Sequence, residues 1–163
     1  MVYKTLTFVI LLLITVACSL SDKRVTRTDY SLINPFTHKF TSIQEVNEYV
    51  NYLPYVSDID NYGKSDYWAS FSEFIAHNGG DCEDQAVAKM YLLIRDNIVK
   101  VEDITFLIVY LPEKDAHHAV LIIHDMVLDN DVDAYITPIS QVIPSLYTPK
   151  LAVPNVFLDT LFK

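Results

Sequence analysis

Gly79-Gly80-Asp81-Cys82-Glu83-Asp84-Gln85-Ala86 places one of the two cysteines of this 163-residue chain at the start of an amphipathic helix, directly behind a glycine pair. Unpaired backbone N–H groups in a first helical turn, and the positive end of the helix dipole, stabilise a thiolate there. Cys82 therefore reads as a nucleophile, set against the plainer reading of a buried, inert thiol. Asp81, Glu83 and Asp84 complicate that reading, because three negative charges beside the sulfur raise its pKa. A bound divalent cation would cancel the repulsion, and a carboxylate cluster in an exported protein suits calcium. The spacing is not that of an EF-hand, which needs a longer acidic series around a central glycine.

Working outward toward the N-terminus, Asp81 is expected to cap this helix, whose apolar positions Ala86, Met90, Leu93 and Ile94 face a core. Ser70 and Glu73 form a capping box for a short helix ending at Asn78-Gly79-Gly80, and Ser42 and Glu45 form another for a helix stopped by Pro54. Tyr55 to Ala69, rich in Asp, Asn and Tyr and without a clean period, reads as a long structured loop. Residues 18–40 read as a polar tether and 41–163 as one domain.

Residues 1–17 read as a signal peptide of the lipoprotein type: Lys4 precedes an apolar run from Leu6 to Ala17, too short to span a membrane. Thr15-Val16-Ala17-Cys18 resembles a lipobox, which would make Cys18 the lipidated first residue of the mature chain; ordinary cleavage after Ala17-Cys18-Ser19 is the alternative. Either route exports the protein and leaves Cys82 without a partner in an oxidising compartment, as expected of a reactive thiol. The formal net charge of −9 and the lack of a basic cluster argue against nucleic acid as a partner.

Toward the C-terminus the hydrophobic period changes. Ile104 to Leu111 reads as a central strand, Pro112 to Asp115 as a turn, and Ala116–Ile123 with Met126–Asn130 as a hairpin around His124-Asp125. Prolines 138, 144, 149 and 154 break the remainder into short extended pieces. A two-residue hairpin loop sets Ile123 opposite Met126, Val120 opposite Asp129 and His118 opposite Asp131, so His118, Asp129 and Asp131 share a face. A base with a carboxylate orienter then joins Cys82 in the pattern of a thiol protease, with either aspartate as orienter; His117 lies on the other face.

These residues resemble the bacterial transglutaminase-like cysteine peptidases of the LapG type. The matching pieces are Val46-Asn47 with Val50-Asn51, Asp66-Tyr67-Trp68, Glu73-Phe74, Gly80-Asp81-Cys82-Glu83-Asp84 with Ala86 and Ala88-Lys89, His118-Ala119-Val120-Leu121, and Leu128-Asp129-Asn130, in order across about residues 42–140. The resemblance implies an α+β, papain-like or transglutaminase-like fold, with the helix bearing the nucleophile packed on an antiparallel sheet. It implies Cys82 as nucleophile, His118 as general base and Asp129 as orienter, with calcium held by Asp81, Glu83 and Asp84. It also implies periplasmic cleavage of a large repeat adhesin near its N-terminus, with consequences for biofilm attachment, under an inner-membrane cyclic-di-GMP receptor. The hairpin between His118 and Asp129 is shorter here than is usual in that family, and a lipid anchor is not a general family trait. The oxyanion hole would use the Cys82 backbone N–H, with Trp68 either a second donor or a core anchor. Two other functions compete: amide hydrolysis or acyl transfer on another cell-envelope substrate by the same triad, and a non-catalytic calcium-binding lipoprotein.

Overall fold

The computed structural model of the chain describes residues 29–131, 136–143 and 146–154; the expected signal, Cys18 and Pro144 lie outside them. Among the described residues five α-helices and five strands follow in the order α1 (Ile43–Tyr52), α2 (Asp58–Tyr62), α3 (Phe71–Ala76), α4 (Cys82–Arg95), β1 (Ile104–Leu111), β2 (Ala116–Ile123), β3 (Met126–Leu128), β4 (Thr137–Pro138), α5 (Ile139–Val142) and β5 (Thr148–Val153). The strands form one antiparallel sheet in the order β4-β3-β2-β1-β5, with α4 packed on β2 and α1 and α3 packed on α4. This is the expected α+β arrangement.

The apolar runs of β1 and β2 lack clean alternation because both faces of the sheet are covered. On the helical side lie Phe106, Ala119, Leu121 and Ile123 with Val46, Val50, Phe74, Met90 and Leu93. On the other side Leu107, Val109, Val120 and Val127 pack with Val142 and Tyr147. The β2–β3 register pairs Ile123 with Met126 and Leu121 with Leu128, as the two-residue loop requires, and His124 takes the left-handed conformation (φ 56°) the tight turn needs.

Four local expectations need correction. The described part of the segment read as a tether, residues 29–40, is folded: Tyr30 and Phe40 are buried, the Tyr30 hydroxyl donates to Glu48 (2.7 Å), the Phe40 N–H donates to Asp96 (2.8 Å), and Arg95 holds the His38 carbonyl (2.8 Å). Isolated aromatics in a polar stretch gave no period, but each buries a large area. Within the 55–69 loop stands α2, too short to show a helical period, capped by Ser57 and ended by Gly63 at φ 64°. β3 stops at Leu128, because both the Asn130 and Asp131 N–H groups bond the Asp129 side chain (2.6 and 2.9 Å) and turn the chain out of the ladder. The proline-rich end contains α5, which continues from β4 with its Ile139 N–H bonded to the Asp125 carbonyl (2.7 Å).

The two expected capping boxes differ in how fully they form. Ser70 and Glu73 form a complete capping box on α3. At α1 only half of the box forms: Ser42 accepts from the Glu45 N–H, while the Glu45 carboxylate turns back to Thr41 (2.9 Å) and His38 (2.9 Å).

Candidate active site

Cys82 is the first residue of α4, and the turn before it is built by two glycines. Gly79 has φ 140°, and a side chain there would strike the Pro54 carbonyl; a side chain at Gly80 would strike the Asp84 carboxylate. The 54–56 segment runs alongside, with the Val56 N–H bonded to the Gly80 carbonyl (3.1 Å). Backbone on one side and the acidic side chains on the other thus enclose the helix start.

Cys82 and His118 line one cavity of about 420 Å³, together with Asn51, Tyr55, Gln85 and Asn130. The backbone N–H of Ala119 on β2 is near enough to the sulfur to oppose the rise in its pKa. His118 is 7% exposed and Asp129 3%. His118 Nε2 is 2.6 Å from Asp129 Oδ1, diagonally across the hairpin, which leaves Nδ1 as the nitrogen able to take a proton from a substrate or thiol. The Asp129 carboxylate also accepts from Asn130, Asp131 and the Tyr147 hydroxyl, and its backbone carbonyl accepts from Asn51 Nδ2 (2.7 Å). These bonds, with the charge of His118, hold its pKa below the ordinary value against the opposing cost of burial. Asp131 instead pairs with Lys114, and both line the cavity; His117 lines it too but is exposed and alternates with His118 along the strand. Of the two aspartates left open by spacing, Asp129 is the one on the histidine.

The acidic group behind Cys82 is larger than the sequence indicated. Asp58 joins Asp81 and Asp84, with one oxygen from each lying within 4.8 Å of the others. Asp58 Oδ1, Asp81 Oδ1 and Asp84 Oδ2 are all buried without a hydrogen-bond partner. Their remaining oxygens are directed by backbone: Asp58 Oδ2 accepts from the Tyr67 N–H (2.6 Å) and Asp84 Oδ1 from the Ala69 N–H (2.7 Å). Three clustered carboxylates, each with a buried unpaired oxygen, fit a hard divalent cation, which takes oxygen ligands. Glu83 stands differently: its carboxylate accepts from the Cys82 thiol (3.0 Å), and it groups with Asp81 and Cys82 or with Asp58 and Asp66. Asp81 makes no side-chain capping bond, contrary to expectation, because its carboxylate belongs to this cluster. Asp58 sits in the aperiodic 55–69 segment; the signal that could have found it is Ser57, a cap placing an aspartate in a first helical turn.

With no cation bound, burial and then neighbouring charge raise these groups: Asp81 to about 8 and Asp84 to about 7. Burial and Glu83 likewise push the Cys82 thiol up, so the helix start alone does not yield a thiolate. Seven residues after Cys82, on the same face of α4, Lys89 is 2% exposed; burial pulls it down to about 7, with the Asp129 carboxylate opposing that shift. Trp68 stacks on Phe106 with ring centroids 5.2 Å apart and packs against the helical-side core, which is the anchor role and not that of a donor lining the cavity.

The family model for bacterial transglutaminase-like cysteine proteinases matches residues 17–142. The chain belongs to that family. Among solved structures it is similar to calcium-bound LapG of Legionella pneumophila, at 25% identity and a TM-score of 0.60 over 69% of this chain and 63% of that one. A second structure of the same protein gives 27% identity and a TM-score of 0.58 over the same shares. An EGTA-treated form gives 24% and 0.59 over 74% of this chain and 75% of that one, a likeness of fold. The chain thus spans less than two thirds of the length of the first two. No curated protein matches it.

The carboxylates imply a specific pH dependence when chelator removes divalent cations. Folded Asp81 and Asp84 keep protons that the unfolded chain gives up near pH 4, so their contribution to stability is full below that pH and is lost as pH rises through about 7 to 8. The melting temperature in EGTA should therefore fall between pH 5 and pH 8, and the slope should flatten in Asp84→Asn. A wild-type melting temperature that rises or stays level across that window would contradict this assignment.

Proposed function

We propose that this protein is a calcium-dependent cysteine endopeptidase in which Cys82 is the nucleophile, His118 the general base and Asp129 its orienter. The observation that carries the reading is that Cys82 and His118 line one cavity while His118 is bonded to the buried Asp129 at 2.6 Å. Family membership supports the reaction class. His118 Nδ1 takes the thiol proton, the sulfur attacks the scissile carbonyl, and the imidazolium then returns the proton to the leaving amine. The Cys82 backbone N–H, in a first helical turn, donates to the developing oxyanion. Asp129, fixed on both oxygens, keeps the ring in the tautomer that leaves Nδ1 free and stabilises the imidazolium.

Calcium in this reading is held by Asp81 and Asp84 with Asp58, and Glu83 completes the set by leaving the sulfur. The three orphaned carboxylate oxygens support it, as do the calcium-bound and EGTA-treated forms in which LapG is known. A cation there supplies positive charge beside the thiol and frees it from a carboxylate acceptor.

The LapG resemblance supports a large repeat adhesin as substrate, a role in biofilm attachment, and restraint by an inner-membrane cyclic-di-GMP receptor. In the same reading the chain is periplasmic, held on the outer membrane by a lipid on Cys18. The stretch from Cys18 to Tyr30, the first helical residue described, reaches at most about 40 Å even when fully extended. The active site is therefore kept close to the membrane surface, which raises its effective concentration toward a membrane-retained substrate.

Cys82→Ala should reduce cleavage of an adhesin fragment to background while leaving the melting temperature near wild type. His118→Ala should lose on the order of a thousandfold or more in kcat, with Asp129→Asn milder. Wild-type cleavage by Cys82→Ala would sink the assignment. For the anchor, Cys18→Ser should move the protein from the membrane fraction to the soluble periplasm or leave it unprocessed; a wild-type protein already soluble, with its N-terminus at Leu20, would establish ordinary signal cleavage.

A further inference from the structure

The Asp129 carboxylate has two oxygens and two kinds of partner. Oδ1 takes His118 and the two turn amides, whereas Oδ2 takes the Tyr147 hydroxyl. Tyr147 is 1% exposed and follows α5, where its own N–H bonds the Val142 carbonyl (3.0 Å). Its ring belongs to the smaller core on the far side of the sheet, and lies 6.4 Å from the His118 ring. The match to the family model ends at residue 142, so Tyr147 lies beyond the region by which the family is described.

We propose that Tyr147 is a positioning residue for catalysis: its hydroxyl fixes the second oxygen of Asp129 and so holds His118 in register with Cys82. This rests on the cysteine peptidase reading above. A carboxylate held through one oxygen alone can rotate about its Cβ–Cγ bond, and a buried oxygen left without a donor is costly. With Oδ2 tied to Tyr147, rotation would break a second bond, so Oδ1 stays on Nε2 and the ring keeps its orientation at the cavity it shares with Cys82. The C-terminal segment thereby contributes to a site whose other parts come from α4 and the β2–β3 hairpin.

The test uses calcium-loaded protein and 4-nitrophenyl acetate, whose acyl group passes to the Cys82 sulfur as 4-nitrophenolate leaves and the thiol proton passes to His118. Single-turnover measurements separate the acylation rate constant from the binding constant. Tyr147→Phe keeps the ring and should slow acylation by about ten- to a hundredfold, the range for one hydrogen bond to a charged group, with binding unchanged. In the Asp129→Asn background the same substitution should cost less than about threefold, because it acts through the carboxylate. Val142→Ala, which opens the same small core without touching the hydroxyl, should lower the melting temperature and leave acylation within about twofold, all assays being run below the melting transition. Equal slowing by Tyr147→Phe in both backgrounds, no slowing at all, or comparable slowing by Val142→Ala would overturn the proposal. A wild-type protein with no Cys82-dependent acylation would overturn the peptidase reading and the proposal with it.

Discussion

Electrostatic crowding at the start of α4 is the constraint on which the rest of the site depends. Asp58, Asp81, Glu83 and Asp84 gather around a partly buried thiol, and three of these carboxylates are buried by the backbone of the 54–69 segment and the Gly79-Gly80 turn. A helix N-terminus offers roughly half a positive charge, which several nearby carboxylates outweigh. Unpaired buried charge is expensive, so the arrangement is tolerable only if protons or a cation neutralise it. Protons neutralise it by raising Asp81 and Asp84, but that leaves the thiol donating to Glu83, the wrong state for a nucleophile. A divalent cation neutralises it without occupying the sulfur.

The sheet separates the two halves of the chemistry. α4 and the acidic cluster lie on its helical side; His118 and Asp129 look toward the other side, where Val120, Val142 and Tyr147 pack. The halves meet at Ala119, in the middle of β2, whose backbone N–H opposes the rise in the Cys82 pKa. Stability and reactivity are coupled at that junction, because the strand that aims the histidine also fixes the distance to the helix. Lys89, buried two turns along α4, senses the Asp129 carboxylate and links the same two layers from inside the core.

Much of this was legible in the sequence wherever local rules agree with tertiary context. β1 and β2 were readable to their ends because branched and aromatic runs bounded by Pro112 and His124-Asp125 leave little choice of register, and that register brings Asp129 diagonally to His118. Ser70 and Glu73 marked α3 for the same reason. Asp58 and Tyr147 were not legible: each is a single polar or aromatic residue in an aperiodic stretch, and its importance comes from a contact with a residue far along the chain. The direction of the Cys82 shift also depends on burial, which the helix start does not encode. Tyr30 and Phe40 were missed because a mixed-charge segment can still bury isolated rings.

The central claim, that a divalent cation converts Cys82 from a thiol held by carboxylates into a nucleophile, is tested most directly by the rate of iodoacetamide alkylation of Cys82 as a function of pH, in excess calcium and in EGTA. Alkylation reports the thiolate fraction. The account predicts that the alkylation profile moves to lower pH in calcium, that magnesium moves it less, and that Asp81→Asn with Asp84→Asn weakens the calcium effect. Superimposable profiles in calcium and EGTA, with wild-type cleavage activity in both, would contradict it.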